Sequence, residues 1–340
     1  MFGIESVHDY DTIISVENLL EAWREFIRGK RGRKDVQVFQ MSLMDNILSL
    51  HTDLQNDNYR HGLYEAFTIS DPKPRNIHKA TVRDRLLHHA IYRRLYPLYD
   101  DLFVHDSFSC RNHKGTHKAL DRFTAMARSV SFNHTKTVWV LKCDVRKFFA
   151  SIDHEILFSI LAKRITDRRT SGLLQEIVGS FNSGQTGKGL PLGNLTSQLL
   201  VNMYLNEFDQ YVKRDLKVKH YIRYADDFVL LSRDRNELVK TLLYMIVFLR
   251  SKLTLELHPD KVSLATFASG IDFLGWVHFP HQRVLRTTTK RRMIRNCDGL
   301  DCSSAIVQAY RGLLTHGDTY GLLRLLPRKD DFCILTESIV

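Results

Sequence analysis

The sequence predicts an α+β fold in which a small antiparallel sheet packs against helices. Short apolar runs, such as VWVLKCD (138–144) and the two halves of HYIRYADDFVLLS (220–232), are typical of strands. Longer runs between them carry apolar residues at helical spacing. No internal repeat or low-complexity linker divides the chain, which favours one compact body with a small helical appendage.

Composition limits the classes of function. The 340 residues are enough for two or three domains, and a 44% hydrophobic content argues against disorder. The net charge of +11 favours a polyanionic partner such as nucleic acid, although a merely basic protein remains an alternative. The sequence contains no run of about 18 apolar residues, so no membrane-spanning helix is predicted. The N-terminus lacks the pattern of a secretion signal, and five cysteines without a CxxC pair indicate a reduced cytoplasmic chain.

The N-terminal part is predicted to be helical apart from one hairpin. Helices are expected at 15–28, behind a capping serine, and at 38–54. The basic cluster RGKRGRK (28–34) between them is interpreted as an exposed loop that could contact phosphates. YEAFTISDPKPRNIHKA (64–80) alternates apolar and polar residues around an Asp-Pro break, which predicts a hairpin with a basic tip. Residues 82–103 are expected to form the next helix.

The remaining elements alternate between strands and helices. Their predicted positions are a strand at 138–144, a helix at 145–165, a glycine-punctuated loop entering a long helix over 189–212, a strand pair at 220–232, a helix at 237–253, a strand at 273–279, and a basic then helical tail from about 285.

Two adjacent aspartates, Asp226 and Asp227, occupy the only polar position between YIRYA and FVLLS. This places them at a hairpin tip, where like charges repel unless a cation gathers them. Asp144 ends another predicted strand, and pairing of the strands would bring the three carboxylates together. Carboxylates with substrate phosphates suit Mg²⁺, and two such ions support nucleotidyl transfer. A turn in which aspartate is simply favoured is the alternative for the pair alone.

YADDFVLL resembles the Tyr-x-Asp-Asp box of reverse transcriptases, and further blocks resemble that family in the same order. These are FTISDPKPRNI, VRDRLLHHAI, LKCDVRKFFASIDH, GLPLGNLTSQ, LELHPDKV and FLGWVHF. The resemblance covers about residues 58–280. It implies an RNA-directed DNA polymerase with two Mg²⁺ ions and a right-hand polymerase fold. The implied division is an N-terminal helical extension (1–57), fingers (58–137), a palm (138–282, with a returning finger segment at about 155–190) and a helical thumb (283–340).

The resemblance also implies roles for individual residues. Asp144, Asp226 and Asp227 match the metal-binding triad, with the main-chain carbonyl of Val145 as a further ligand. Lys261 matches the lysine that protonates the leaving pyrophosphate. The residues implied to contact the incoming nucleotide are Lys73, Arg75, Val145, Phe148, Phe149, Leu192, Gly193 and Gln198. Among them, Lys73 and Arg75 suit the triphosphate, and Phe149 matches the steric gate against a ribose 2′-OH. One of Phe148 and Phe149 is expected to be a core residue.

The block PLGNLTSQ departs from most retroviral and group II intron enzymes, which have Gln where this chain has Leu192. The pattern here is similar to the reverse transcriptases of diversity-generating retroelements, which copy a template-repeat RNA with frequent errors at adenines. A glutamine can hydrogen-bond the incoming nucleotide, whereas leucine offers only apolar contact, so weaker selection is expected. Neutral change at a packing position is the alternative.

The predicted partners follow from the same resemblance. They are template RNA and its RNA/DNA duplex, deoxynucleoside triphosphates, and a separate accessory protein, the accessory variability determinant; no membrane is expected. The expected location is the cytoplasm of a bacterial, archaeal or phage-infected cell. RNA contacts are expected from two basic groups: Arg31, Arg33 and Lys34, and Lys290, Arg291 and Arg292. The alternatives are a retron-like, defence-associated or intron-like bacterial reverse transcriptase, or a catalytically idle nucleic-acid-binding relative.

Overall fold

The computed structural model describes residues 10–70 and 74–327, which form helices around small antiparallel sheets. The helices are α1 (Tyr10–Ile14), α2 (Val16–Phe26), α3 (Lys34–Met41), α4 (Leu43–Gln55), α5 (Val82–Asp100), α6 (Thr116–Val130), α7 (Phe148–Ser151), α8 (His154–Ala162), α9 (Arg168–Gly179), α10 (Leu195–Gln210), α11 (Arg235–Leu253), α12 (Thr287–Cys297), α13 (Ala305–Leu314) and α14 (Tyr320–Leu323). The strands are β1 (Glu65–Ile69), β2 (Arg75–Lys79), β3 (Trp139–Asp144), β4 (Tyr221–Tyr224), β5 (Asp227–Ser232), β6 (Ser263–Thr266), β7 (Ile271–Phe273), β8 (Trp276–His278) and β9 (Arg283–Leu285).

The central sheet has four antiparallel strands in the order β4-β5-β3-β6. Its two faces are buried in two separate apolar cores, because successive side chains of a strand point to opposite faces. Leu141, Cys143 and Phe228 belong to one core, together with buried residues of α2, α5 and α10. Val140 and Val229 belong to the other, together with α6, β7 and β8. Apolar cores therefore cover both faces of the sheet. The ends of its strands remain available to carry polar groups.

The N-terminal helices pack into the same core as the central sheet. Leu19, Trp23 and Phe26 of α2 are buried beside α5. The side-chain amide of Asn18 donates to the Ala90 carbonyl at 3.1 Å, which ties the two helices together. The chain divisions expected at residues 57, 137 and 282 stay predictions.

Most predicted elements are confirmed. The predicted helix at 15–28 corresponds to α2, and Ser15 caps it by accepting a hydrogen bond from the Asn18 amide. The expected hairpin at 64–80 is β1 paired with β2 in antiparallel register. The strands at 138–144 and 220–232 are also found, and the long helix expected after the glycine-punctuated loop runs from Leu195 to Gln210.

Two helices that were predicted to be continuous are each divided into two in the structure. The single helix expected at 38–54 is two helices, α3 and α4, which meet at Ser42 in a non-helical conformation (φ −121°, ψ 45°). The side-chain amide of Asn46 donates to the Phe39 carbonyl at 2.9 Å and satisfies the end of α3. The helix expected at 145–165 is likewise divided between α7 and α8. There Asp153 accepts from the Ile156 amide at 3.2 Å and starts a new helix.

The single strand expected at 273–279 was also wrong, because the chain reverses inside FLGWVHF. Leu274 and Gly275 both have positive φ values (49° and 87°), as a two-residue hairpin turn requires. β7 and β8 therefore pair with each other, and β9 adds a third strand. The basic stretch TTTKRRMIRN, expected to precede the helical tail, is itself helical and forms most of α12.

No helix in the described ranges is both long and apolar enough to cross a membrane. Cys110, Cys143, Cys297 and Cys302 are free thiols in the structure, and Cys333 lies outside the described residues.

Candidate active site

Three carboxylates meet at one end of the central sheet, as the sequence predicted. Asp144, the last residue of β3, lies opposite Asp227, the first residue of β5. Asp226 occupies the turn between β4 and β5, and its carbonyl accepts a hydrogen bond from the Val145 amide at 3.2 Å. Both hairpin aspartates are half-buried and Asp144 is buried, with 7% of its surface exposed. The pairing of β5 with both β3 and β4 thus brings the three aspartates together.

Burial and mutual repulsion act together on this cluster. Burial raises the pKa of Asp226, and the Asp144 charge raises it further. Burial likewise raises the pKa of Asp227 to about 6, with smaller contributions from Asp226 and Asp144 that the Lys142 ammonium partly offsets. Since both hairpin carboxylates are disfavoured in their charged forms, a nearby cation would stabilise them.

Lys261 supplies the only direct cationic contact that the described residues make with this cluster. Its ammonium donates to Asp144 Oδ1 at 2.6 Å. The lysine lies at the end of a 3₁₀ turn, Pro259–Lys261. That turn is fixed next to β3 because the His258 amide donates to the Asp144 carbonyl at 2.8 Å. The structure therefore brings Lys261 to the aspartates, and its role as the proton donor to pyrophosphate stays a prediction.

The donor set fits a hard divalent cation. Carboxylate oxygens are the ligands that Mg²⁺ prefers, and the raised pKa values show an acidic cluster short of counter-charge. Within residues 10–70 and 74–327, no three acidic, histidine or cysteine side chains are already arranged to hold an ion. The Lys261 ammonium contacts Asp144 Oδ1, an oxygen that a bound cation would also use. The carbonyl of Val145 as a ligand stays a prediction.

A buried ion pair, which sequence reasoning missed, lies beneath the aspartate hairpin. Arg223 of β4 is fully buried and contacts Asp209 of α10 through Nη2 at 2.6 Å and Nε at 2.8 Å. The Tyr221 hydroxyl also donates to Asp209, at 2.6 Å. Arg223 Nη1 donates to the Ala225 carbonyl at 3.1 Å, and Ala225 has a left-handed φ of 54°. The guanidinium thus supports the strained turn that presents Asp226.

A sequence signal for this network existed. Arg223 is the one charged residue of a strand whose other members are hydrophobic or aromatic. A charge in such a position requires a buried partner. That partner, Asp209, lies fourteen positions earlier on a helix, so only the fold identifies it.

The loop that precedes α10 is joined to both α7 and β2. The Leu190 amide donates to the Phe149 carbonyl at 2.8 Å, which joins this loop to α7. The His78 amide donates to the Leu192 carbonyl at 3.1 Å, which joins it to β2. Gly193 has a φ of 109°, and a Cβ there would lie 2.9 Å from Ile77. Glycine is therefore required where the loop meets the hairpin.

Two aromatic side chains of α7 have different environments, as expected. Phe148 is buried in the core, whereas Phe149 is only partly buried and packs against it. Gln198 lies in the first turn of α10 and is half-buried. These residues and the 190–193 segment are brought near one another, but their contacts with a nucleotide stay predictions.

Arg75 begins β2, and its positive charge lowers the pKa of Asp226 against the larger effects of burial and Asp144. Arg75 is therefore close enough to act electrostatically on Asp226. Lys73, predicted to act with Arg75, lies outside the described residues.

The two basic groups predicted to contact RNA are far from the carboxylates in the sequence. Both groups lie on the protein surface. Arg31, Arg33 and Lys34 are exposed at the start of α3. Lys290 and Arg291 are exposed on α12, and Arg292 is half-buried there. Asp35, which follows the first group, pairs with Lys79 of β2 at 3.0 Å. That ion pair places the first group next to the base of the β1–β2 hairpin.

Comparisons with known proteins agree with this geometry. The model of the family described as reverse transcriptase (RNA-dependent DNA polymerase) matches residues 70–278. Protein YkfC of Escherichia coli (strain K12) is 27% identical over 243 residues, which are 61% of this chain and 63% of that protein. The group II intron-encoded protein LtrA of Lactococcus lactis subsp. cremoris is 23% identical over 279 residues, 62% of this chain and 45% of that protein. The chain thus spans less than two thirds of either relative.

Among solved structures, telomerase from Candida albicans in complex with a TWJ fragment of telomeric RNA is similar in fold. It aligns with 76% of this chain and 55% of that chain, with a TM-score of 0.51 and 11% sequence identity. The likeness concerns the fold, and it confirms the α+β right-hand polymerase fold that the sequence predicted.

Proposed function

This chain belongs to the reverse transcriptase (RNA-dependent DNA polymerase) family, and we propose that it extends a primer on an RNA template by nucleotidyl transfer. The observation that carries the proposal is the opposition of Asp144 and Asp227 across neighbouring strands, with Asp226 in the adjoining turn. An idle relative would have no reason to keep three mutually repelling carboxylates wholly or partly buried.

Asp144, Asp226 and Asp227 would hold the Mg²⁺ ions, with the Val145 carbonyl as a further ligand. When bound, a pair of such ions activates the attacking oxygen and stabilises the leaving one. Arg75, with Lys73, would orient the triphosphate. Lys261, released from Asp144, would donate its proton to the departing pyrophosphate. Phe149 would exclude a ribose 2′-OH from the same pocket.

Incorporation of deoxynucleotides on an RNA template with an annealed DNA primer tests this proposal. We expect extension in Mg²⁺, none in EDTA, and preference for deoxynucleotides over ribonucleotides. Lack of extension by the wild-type protein on RNA templates of varied sequence and length would argue against the polymerase assignment.

We further propose that the enzyme makes adenine-mutagenised cDNA from the template-repeat RNA of a diversity-generating retroelement, with an accessory protein. Leu192 in place of the common glutamine supports this, and its main chain is fixed against β2 beside the predicted nucleotide pocket. The similarity to a group II intron-encoded protein favours an intron-like enzyme as the second candidate. Adenine-specific errors in the cDNA would favour the first candidate over the second.

Replacement of Leu192 by glutamine should lower misincorporation opposite template adenine. A net hydrogen bond is worth about 0.5–1.5 kcal/mol, so we expect a reduction of a few-fold to about tenfold, with some loss of rate. Sequencing cDNA copied from one template by both forms measures it. Leu192→Met, which keeps an apolar side chain, is the matched control and should retain the wild-type error rate. Equal adenine errors in the glutamine variant would move the cause of infidelity elsewhere in the pocket.

Reversing the charges of Arg31, Arg33 and Lys34 to glutamate should weaken RNA binding and leave the melting temperature nearly unchanged, because all three are exposed. The slope of log Kd against log salt should become less steep by about 2 to 3 if each cation neutralises one phosphate. Titration of labelled RNA at several salt concentrations measures both quantities. The same change at Lys240, Arg250 and Lys252, exposed on α11, controls for the loss of total charge.

A further inference from the structure

A further basic surface, separate from the two basic groups described above, lies at the end of the central sheet opposite the aspartates. β5 begins at Asp227 and ends at Ser232, which pairs with Trp139 at the start of β3. At about 3.3 Å per residue, this end lies roughly 17 Å from the carboxylates. It carries an open pocket of about 340 Å³, whose walls include Phe132, Lys219 and Arg233. We call this the Phe132 pocket.

Phe132 lies in a strained turn of the chain. Phe132, Asn133 and His134 have φ values of 50°, 56° and 68°, so three consecutive non-glycine residues are left-handed. Such conformations are unfavourable and persist only when surrounding contacts impose them. Ser131 Oγ accepts from the His134 amide at 2.9 Å, and Arg128 Nε donates to Asn133 Oδ1 at 2.8 Å. The turn leaves 56% of the Phe132 surface exposed to solvent. Exposure of an apolar ring does not stabilise the fold, so the exposed ring has no evident role in folding.

The charges around this ring are mostly positive and lack acidic partners. The Arg233 guanidinium lies over the Phe132 ring, 4.7 Å from its centroid. Lys219 is exposed, and neither it nor Arg233 joins an ion pair within the described part of the chain. Glu237 is the one carboxylate in the wall, and it accepts a hydrogen bond from the Ser232 hydroxyl at 2.5 Å. An exposed ring with unpaired cations is the combination that single-stranded nucleic acids contact.

We propose that the Phe132 pocket binds a single-stranded segment of RNA outside the catalytic cleft. One base would extend the stack formed by Arg233 and Phe132, while Lys219 contacts a phosphate. This inference rests on the proposed function for its choice of RNA as the polyanion. An acidic peptide would use the same cations but would gain little from the ring. The contribution of the ring therefore distinguishes the two ligands.

The test uses the full chain and a single-stranded oligouridine RNA containing 4-thiouridine, with an RNA/DNA primer–template duplex added to occupy the cleft. Crosslinked protein is digested with trypsin and analysed by mass spectrometry, and affinity is measured by fluorescence anisotropy. We expect crosslinks in the tryptic peptide 129–136, which contains Phe132. Phe132→Leu should lose them and bind about fivefold or more weakly. Tyr244→Leu, at a similarly exposed ring on α11 (58%), should behave as the wild type.

Wild-type affinity and unchanged crosslinks in Phe132→Leu would overturn the proposal. So would a result in which Arg233→Gln weakens binding of polyglutamate and RNA equally while Phe132→Leu weakens neither, since this identifies an acidic-peptide site. Extension of a short unstructured template should stay unchanged in Phe132→Leu. The proposed polymerase function is judged by the wild-type extension assay alone, so the two failures are distinguishable.

Phe132→Gly separates binding from stability. Glycine adopts left-handed backbone without steric cost, so the melting temperature should stay constant or rise while RNA affinity falls. A ring with a purely structural role would give the opposite result, a lower melting temperature with unchanged affinity.

Discussion

We expect Asp226→Asn and Asp227→Asn each to reduce nucleotide incorporation by several orders of magnitude in a single-turnover primer-extension assay. Each substitution removes a charged oxygen ligand from the set proposed to hold Mg²⁺, and the loss falls on transition-state stabilisation. RNA binding should change little, because the cations proposed to contact RNA phosphates are other residues. Normal extension by Asp226→Asn would exclude the assignment of the hairpin as the metal-binding site.

The same variants should stabilise the metal-free protein. The pKa of Asp227 is raised from 3.8 to about 6, chiefly by burial. A carboxyl whose folded pKa is raised favours folding in its protonated form, so stability is highest below about pH 4 and decreases as the pH rises through about 6. At pH 7 in EDTA, Asp227→Asn should increase the free energy of unfolding by on the order of 1–3 kcal/mol.

Denaturant unfolding in EDTA between pH 4 and 8 measures this change. Asp298→Asn, at an exposed carboxyl after α12, should follow the wild-type curve. If Asp227→Asn is less stable than the wild type at pH 7, then the aspartate is a structural residue rather than a strained ligand.

We expect the second large effect from Arg223→Met, which should lower the stability of the fold. It leaves Asp209 buried without its cation, which costs about 3–5 kcal/mol. The double variant Arg223→Met/Asp209→Leu should recover most of this loss, because a buried ion pair is often replaceable by apolar side chains. The Tyr221 hydroxyl then loses its acceptor, and Asn202 and Ser107 lose the guanidinium donor, so a remaining deficit of about 1–2 kcal/mol is expected.

The polymerase activity of the double variant shows whether Arg223 supports the aspartate hairpin or only the stability of the fold. The double variant lacks the donor to the Ala225 carbonyl, so the turn that carries Asp226 should loosen even when the protein is stable. We expect a rate about tenfold to a hundredfold lower and a higher Mg²⁺ concentration for half-maximal rate. A stable double variant with wild-type rate at every Mg²⁺ concentration would assign Arg223 to folding alone.

The convergence of the aspartates was predictable because it depends on strand pattern. An apolar run that ends in Asp144 and a hairpin with Asp226 at its tip leave few ways to pair, and the family blocks fix their order. The break at Ser42 was not predictable from helical periodicity, since apolar spacing continues across it. The reversal inside FLGWVHF had a local signal in Gly275, but a turn whose first residue is leucine has weak turn propensity.

The Arg223 network and the Phe132 turn were missed for a different reason. Both depend on side chains that meet only after the sheet and its covering helices have formed. Asp209 and Arg223 lie on different elements, and the left-handed turn is fixed by Ser131 and Arg128 rather than by glycine. Such features arise from tertiary context, which local propensity does not report.

The position of β3 in the central sheet determines when the site can assemble during synthesis. Both neighbours of β3, β5 and β6, come later in the chain, and Asp144 precedes its partner Asp227 by 83 positions. A nascent chain leaving the ribosome can pack α2 against α5 early, whereas β3 has no partner on either edge until β5 has emerged. Pairings of such long sequence separation form slowly and leave apolar strands exposed meanwhile. The aspartate cluster therefore cannot form before residue 232 has emerged, and the apolar segment VWVLKC has no strand partner until then.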